Sequence, residues 1–490
     1  MRASAAFFCR RPKHFRRCFA SIINHLKEVK PVNQDRDFLR TEPLGKLLFK
    51  LAIPTVAAQL INMLYNIVDR IFIGHIPEEG SMALTGVGVC MPVIMFVSAF
   101  AALISSGGAP RASIAMGSKD NDRAELILGN CFILQAVISI VLTAVLLIWH
   151  RELLLTFGAS ENTIDYASDY MKIYALGTIF VQLTLSMNAF ITAQGFTGVA
   201  MISVLIGAVS NILLDPLFIF GFEMGVMGAA FATIISQSIS CMWAILFLCG
   251  RKTRLHLRIQ NFRIVPSVVF SCLALGLSTF VMQSSESVIM VCFNSSLLKY
   301  GGDIAVGAMT ILSSVMQFAM LPLQGLGQGS QPIMSYNYGA RCTKRVKDTY
   351  KLLLRSCLCY SVPLWILIML FPGLFVSIFT PDPVLAEFAG PALRVYMAVM
   401  GIFGIQIACQ MAFVSIGSAL SSIAVAVVRK FVLLLPLIYI MPAVFTSNKT
   451  MSVFAAEPVA DILAVSFTVI LFSIQFRNAL KALERREDIQ

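Results

Sequence analysis

The sequence predicts an all-α polytopic membrane protein with twelve transmembrane helices in two six-helix bundles related by pseudo-two-fold symmetry. Three observations predict this class: an apolar composition, twelve apolar runs of membrane-spanning length, and an internal repeat. Hydrophobic residues make up 57% of the 490-residue chain and charged residues 13%, whereas soluble domains carry about 25% charged residues. This composition excludes a disordered chain and an ordinary water-soluble enzyme.

The twelve predicted helices follow one another with short breaks. Each has the roughly 20 residues that a helix needs to cross about 30 Å of hydrocarbon. Turn residues separate them, as at Gly117-Ser118-Lys119-Asp120-Asn121 and at Gly301-Gly302-Asp303. In chain order the helices span residues 48–74, 82–106, 124–149, 163–190, 198–221, 227–249, 267–295, 304–328, 350–372, 386–414, 419–445 and 454–478.

Lys and Arg residues predict the orientation. They cluster in the N-terminal 50 residues and in alternate loops near 111–123, 251–263 and 341–351, and basic loops mark the cytoplasmic side. We therefore expect a multi-pass protein of the cytoplasmic membrane with both termini in the cytoplasm. The net charge of +12 follows from this orientation, so no nucleic-acid partner is expected. The predicted division is a basic tail (1–46), an N-terminal bundle (47–250), a cytoplasmic linker (251–265), a C-terminal bundle (266–480) and a cytoplasmic tail (481–490).

An internal repeat relates the two predicted bundles. The halves align at an offset of 222 residues over about 70 positions. Six helices per repeat make the halves parallel, with a cleft between them that opens to either side by rocking, which favours a transporter. The aligned pairs include Gly107 with Gly329, Gly117 with Gly339, and Arg123 with Arg345.

Three acidic residues lie inside predicted helices, where a charge costs about 2.5–3.5 kcal/mol and marks a functional candidate. Asp69 ends a polar face of helix 1 that also contains Gln59, Asn62 and Asn66. Asp215 follows Asn211 by one helical turn, so that the two side chains stack. The next residue, Pro216, lacks an N–H group and frees a backbone carbonyl. The third acid, Glu286, lies in the middle of helix 7.

Four polar side chains, from the predicted helices 1, 4, 5 and 6, lie at one depth in the membrane and are therefore able to meet. Asp69, Tyr170, Asp215 and Thr233 each lie about 8–11 Å below the outer surface at 1.5 Å per residue. The alternative is that Thr233 and the asparagines of helix 1 only join helices by hydrogen bonds. A carboxylate in hydrocarbon is less suited to that role, and burial favours its protonated form, so it can exchange a proton for a cation.

Charged residues in the second half leave two interpretations open. Glu286, three residues after Gln283, either lines the cleft or is buried and protonated. Arg429 and Lys430 lie in helix 11, and we expect them to extend to the cytoplasmic interface rather than to bind substrate.

Five segments carry a family resemblance. They are Tyr65-Asn66-Ile67-Val68-Asp69, Asn211-Ile212-Leu213-Leu214-Asp215-Pro216, Gly228-Ala229-Ala230-Phe231-Ala232-Thr233, Gly325-Leu326-Gly327-Gln328-Gly329-Ser330-Gln331-Pro332 and Ser335-Tyr336-Asn337-Tyr338-Gly339-Ala340. With these segments, residues 41–480 resemble the multidrug and toxic compound extrusion (MATE) transporters, in particular the bacterial branch with aspartates in helices 1 and 5.

The resemblance implies a MATE-like fold and a coupling site for H⁺ or Na⁺. Its members would be Asp69, Asn211, Asp215 and Thr233, which would also be the metal ligands if the ion is Na⁺, with Tyr170 beside them. Another branch uses a helix-7 glutamate, matched by Glu286, together with acids in helices 10 and 12. Helix 10 here carries Gln406 and Gln410, and Asp461 in helix 12 is an ambiguous match, so we do not expect a second cation site.

The predicted function is a cation-coupled antiporter that exports drugs and organic cations by alternating access. The alternative is a lipid-linked oligosaccharide flippase of the same superfamily. An enzyme is not expected, because HExxH and GxxxxGK[ST] motifs are both missing. Besides the coupling ion no cofactor is expected. The expected partners are small-molecule drugs and the lipid bilayer, and the protein is expected to be a monomer. Residues expected to line the substrate cleft are Tyr65, Asn66, Tyr170, Gln283 and Glu286.

Overall fold

A computed structural model describes residues 37–77 and 80–487, apart from the side chains of Ser81, Arg486 and Glu487. Most of the predicted tail 1–46 and the last three residues of the tail 481–490 lie outside this description. Residues 37–42 belong to a separate compact unit, whose described part is the single-turn helix Phe38–Thr41. The remainder, from Pro43 onward, forms one unit that is built from helices, with no strand among its described residues.

Six long helices form the first half of this unit. They are α1 (Leu44–Gly74), α2 (Gly80–Gly117), α3 (Asn121–Thr156), α4 (Ile164–Ala193), α5 (Thr197–Pro216, continued by the π-helical segment Leu217–Gly221) and α6 (Gly225–Cys249).

The second half begins with a helical segment of 74 residues, Pro266–Gly339. A straight helix of that length would measure about 110 Å, more than three times the hydrocarbon thickness of about 30 Å. The segment divides at Gly302, where φ is 65° and ψ is −163°, into α7 (266–301) and α8 (303–339). The remaining long helices are α9 (Thr343–Leu370), α10 (Pro383–Tyr396 and Met400–Ser415, bent by 48°), α11 (Ala419–Val427, the π-helical segment Val428–Leu434, and Leu435–Val444) and α12 (Lys449–Glu487). The short helix Pro372–Val376 lies between α9 and α10.

These helices confirm the predicted all-α polytopic membrane fold. In the described part of the chain, ten helices are long and apolar enough to cross a membrane, or eleven with the bent α10, and the division at Gly302 adds the twelfth. Several helices are longer than predicted, among them α2 and α8. Helices α2 and α8 continue past 106 and 328 to Gly117 and Gly339, because the small and polar residues there are buried in a packed interface. Ser113, Ser330 and Ser335, for example, have no solvent-exposed surface.

Each half has its own hydrophobic core. One cluster of buried side chains is drawn from α1 to α6 and includes Ile73, Leu154 and Ile219. Another is drawn from α7 to α12 and includes Phe293, Leu393 and Phe454. The two clusters share no residue, so each half of the sequence repeat contains a hydrophobic core of its own.

The halves meet through close backbone contacts that repeat between them. A Cβ atom at Gly117 would overlap the carbonyl oxygen of Tyr336, and one at Gly339 would overlap that of Ile114. Ile114 and Gly117 correspond to Tyr336 and Gly339 at the offset of 222 residues. The two contacts are therefore images of each other under the pseudo-symmetry of the repeat. Only glycine lets the backbones of α2 and α8 approach so closely.

These mirrored contacts lie at one side of the membrane. Gly117 and Gly339 end their helices immediately before the basic loops. Farther along the helices, Thr55 Oγ1 of α1 donates a hydrogen bond to the carbonyl of Gly325 at 2.8 Å. Contacts between the halves thus close the side that carries the basic loops.

The segment between the halves is fixed to the first half by three polar side chains. Gln194 Oε1 accepts hydrogen bonds from the Thr253 hydroxyl and from the backbone N–H groups of Arg254 and Leu255, at 2.8–3.0 Å. The buried Glu125 pairs with His256 and Arg258, each at 3.3 Å. Asn130 Oδ1 accepts from Val265 N at 2.6 Å. The connection between the halves is therefore held in place on α3 and α4.

Candidate functional site

Side chains from four helices of the first half converge on one buried polar site. Asp69 comes from α1 and is 8% exposed, and Asp215 comes from α5 and has no exposed surface. Their carboxyl groups are close enough to interact electrostatically. Asn211 Nδ2 donates a hydrogen bond to Asp215 Oδ1 at 3.0 Å, one turn along the same helix. The structure thus brings together the acids that the sequence placed at one depth.

Tyrosine and threonine side chains complete this site. Tyr170 of α4 lies beside Thr233 of α6 and interacts with Asp69. Its ring stacks on Tyr174 with 6.3 Å between centroids. Tyr65, one turn before Asp69, interacts with both aspartates. Helices α1, α4, α5 and α6 therefore each contribute a polar group.

Two further amide side chains adjoin the site. Gln237 of α6 lies beside the Tyr65 hydroxyl and was not identified from the sequence, although it follows Thr233 by one helical turn on the same face. The half-buried Asn66 donates to the carbonyl of Asn62 at 2.6 Å and also contacts Tyr65. Asn66 thus connects the site to the exposed part of the polar face of α1.

Three buried oxygen atoms of the site have no hydrogen-bond partner among the described residues. They are Asp69 Oδ1, Asn211 Oδ1 and Asp215 Oδ2. Leaving such atoms unpaired costs about 1–3 kcal/mol each, and more for charged groups. Carboxylate and amide oxygens are hard ligands suited to a proton or a small hard cation, so the site has the chemistry to take up either.

Local sequence places Asp215 at a change in helix geometry. Pro216 cannot donate the hydrogen bond that would continue the α-helical pattern. The chain continues as the π-helical segment Leu217–Gly221, and π turns inside α-helices occur frequently at functional sites. The carboxylate therefore lies where the helix already departs from regular hydrogen bonding.

A second group of charged residues, four of them buried, lies in the second half. Arg429 of α11 forms ion pairs with Asp461 at 2.8 Å and with Glu457 at 3.0 Å, both from α12. Lys430 Nζ lies 2.7 Å from Glu286 Oε1 of α7. We call these five residues the C-terminal ionic cluster. With three acids and two bases, its formal charge is −1.

The positions of Arg429 and Lys430 correct a sequence prediction. Both were expected to extend to the cytoplasmic interface, but they are 5% and 3% exposed and face the interior of the second half. They lie in the π-helical segment Val428–Leu434. The wider π turn separates consecutive side chains by a smaller angle than an α turn does, so neighbouring residues can both point inward. Arg429 also lies over the ring of Phe403 at 4.6 Å.

Glu286 and Gln283 are not part of the site in the first half. Glu286 borders a cavity of about 100 Å³ that is also lined by Phe293, Tyr396, Lys430 and Glu457. Gln283 is exposed one turn away on α7. Glu457 was not identified from the sequence, although it precedes Asp461 by one helical turn and so repeats the spacing of Asn211 and Asp215.

The fold and the buried sites define a duplicated, twelve-span membrane protein of the transporter class. The MatE family model matches residues 54–217 and again residues 277–440. These matches cover more than half of the chain, and the chain belongs to the MatE family. The resemblance to MATE transporters is thereby confirmed, and one match falls within each half of the chain.

Curated relatives align over most of their length. The multidrug export protein MepA of Staphylococcus haemolyticus (strain JCSC1435) is 25% identical over 441 residues, which is 90% of this chain and 96% of the relative. MepA of Staphylococcus aureus (strain N315) is 24% identical over 408 residues, which is 83% of this chain and 89% of the relative.

Solved structures share the fold. A transporter of the MOP superfamily from Pyrococcus furiosus superposes with a TM-score of 0.84 at 22% identity, covering 92% of this chain and 99% of that one. A multidrug resistance MATE family transporter in an outward-facing conformation gives a TM-score of 0.84 at 23% identity, covering 92% and 98%.

Proposed function

We propose that the protein is an antiporter that exports drugs and other organic compounds, many of them cationic, in exchange for H⁺ or Na⁺. The observation that carries the proposal is that oxygens of Asp69, Asn211 and Asp215 are buried with no hydrogen-bond partner in the described part of the chain. The names of the MepA relatives, multidrug export proteins, support export of small molecules. The coupling ion would bind at Asp69, Asn211, Asp215 and Thr233.

In the proposed cycle, the site in the first half takes up its ion from the outer side of the membrane. Neutralising Asp69 and Asp215 removes their mutual repulsion, which lets α1, α5 and α6 move closer together. Such movement would reshape the cleft near Tyr65, Asn66 and Tyr170 and lower its affinity for the exported compound. Gln283 and Glu286 would line the cleft from the second half.

The proposed transport step is a rocking of the two halves, residues 47–250 against 266–480. Separation of the glycine contacts between α2 and α8 would open the cleft to the cytoplasm for reloading. The proposed protein works as a monomer in the cytoplasmic membrane, with both termini and the basic loops in the cytoplasm.

A lipid-linked oligosaccharide flippase is less consistent with the charges. A pyrophosphate headgroup needs free positive charge inside the cleft. Arg429 and Lys430 are neutralised by three acids, and the first half adds two more acids. Saturable binding of a lipid pyrophosphate in competition with a dye would favour the flippase instead.

The test is efflux of a fluorescent organic cation from proteoliposomes, driven by a pH gradient alone and then by a Na⁺ gradient alone. Asp69→Asn and Asp215→Asn are each expected to reduce gradient-driven efflux at least about tenfold, equivalent to a rise of about 1.4 kcal/mol in the free-energy barrier of the limiting step. Glu161→Gln, which changes an exposed acid at the same side of the membrane, serves as the control. Undiminished efflux in both aspartate variants at normal protein levels would contradict the proposal.

A further inference from the structure

A groove separate from both buried sites lies between α9 and α12, on the side of the basic loops. It has a volume of about 560 Å³. Three aromatic rings line its floor. Tyr350 lies 4.5 Å from Phe472 and 5.2 Å from Phe476, centroid to centroid, and the two phenylalanines stack at 4.5 Å. Both phenylalanines belong to a buried core cluster, so the floor of the groove is packed against the protein interior.

Four cations border the groove. Lys347 and Lys351 lie one turn apart on α9, and Arg477 and Lys481 lie one turn apart on α12. All four side chains are exposed, and none forms an ion pair with another described residue. Glu484 is the one acid among the lining residues. The groove thus concentrates positive charge that the fold itself does not neutralise.

The same face of α12 is apolar on the membrane side of these cations. Ile470 is 63% exposed and Ile474 is 55% exposed, and they precede Arg477 and Lys481 at helical spacing on one face. Exposed isoleucines on a membrane-spanning helix contact acyl chains. The groove therefore lies where the hydrocarbon region gives way to the headgroup region.

We propose that this groove binds an anionic phospholipid, with its phosphate between the basic pairs of α9 and α12 and its acyl chains along Ile470 and Ile474. Basic pockets between membrane helices on the cytoplasmic side recognise such headgroups. Lys and Arg are the side chains that bind phosphate, and Arg does so with two parallel hydrogen bonds. The aromatic floor provides an apolar surface for the glycerol backbone, and a volume of about 560 Å³ is within the range of small-molecule sites.

The site is tested by native mass spectrometry of the full chain in detergent, titrated with dioleoyl phosphatidylglycerol or dioleoyl phosphatidylcholine. The variant Lys351→Gln/Lys481→Gln removes one cation from each side of the groove. Its apparent Kd for phosphatidylglycerol is expected to rise about 30-fold, since each basic residue near a membrane surface contributes a factor of about five. Lys119→Gln/Lys252→Gln removes two exposed charges elsewhere on the same side of the membrane and is expected to leave the Kd unchanged.

Three outcomes would overturn the proposal. The first is that the groove variant and the control variant bind phosphatidylglycerol equally well. The second is that phosphatidylcholine binds as tightly as phosphatidylglycerol. The third is that glycerol 1-phosphate, which has no acyl chain, competes as well as the lipid does, in which case the groove is a site for small soluble anions.

Discussion

Arg429 neutralises two buried acids, and its replacement by methionine tests whether the C-terminal ionic cluster stabilises the fold. Arg429→Met removes two charge-assisted hydrogen bonds, at 2.8 and 3.0 Å, to Asp461 and Glu457. The three acids and the remaining Lys430 then give the cluster a formal charge of −2, compared with −1 in the wild type. Removing one partner of a buried ion pair costs about 3–5 kcal/mol, mostly because the remaining charges stay buried. We expect a loss of stability of this size.

The measurement is unfolding in detergent, followed by tryptophan fluorescence against denaturant and against temperature. The compensated variant Arg429→Met/Glu457→Gln/Asp461→Asn leaves only the Lys430–Glu286 pair and no net charge. Because the acids are neutralised together with the base, it is expected to recover at least about 2 kcal/mol relative to Arg429→Met. If the single variant is as stable as the wild type, or the compensated variant is no more stable than the single variant, buried charge is not what the arginine balances.

Three further predictions concern other parts of the molecule. Gly339→Ala is expected to separate the basic-loop ends of α2 and α8 and so to increase the distances between spin labels placed on them. Gly198→Ala is the control and is expected to leave these distances unchanged, because a Cβ atom added there meets no atom within 4 Å. Lys430→Met is expected to destabilise the protein by about 1–2 kcal/mol. This loss is smaller than for Arg429→Met, because the carboxylate of Glu286, the partner of Lys430, is 56% exposed. Equal losses of stability for the two variants in the unfolding assay would contradict this ranking. Gln194→Leu removes the acceptor that Gln194 Oε1 provides to the backbone N–H groups of Arg254 and Leu255. It is expected to speed amide exchange in the 251–265 segment at least about tenfold, at a cost of about 1–3 kcal/mol; unchanged exchange would show that this side chain does not hold the segment.

Helix positions were predictable because the relevant signals are local. Apolar runs with turn residues between them located all twelve helices, and Gly302 marked the break within Pro266–Gly339. The ends of α2 and α8 were not predictable in this way. Glycine, serine and proline are typical of loops in a linear sequence, but Gly107, Ser113 and Gly117 are buried against the other half, where small side chains permit close helix packing.

The two buried sites differ in how far sequence could predict them. In the first half, spacing along each helix and depth in the membrane were enough to group Asp69 with Asp215. In the second half, these measures said nothing about which way Arg429 and Lys430 point. Their orientation depends on a π-helical segment and on acids that are about 30 residues or more away in the chain, so it required the tertiary structure.

The duplicated contact between α2 and α8 has a consequence for the kinetics of the proposed transport cycle. Because Gly117 against Tyr336 and Gly339 against Ile114 are related by pseudo-symmetry, a rigid rotation that parts one pair parts the other as well. Their free energies add, so a contribution of about 1.4 kcal/mol from each makes the closed state a hundredfold rather than tenfold favoured. Opening toward the basic side is thereby a cooperative step in which partly opened arrangements are sparsely populated.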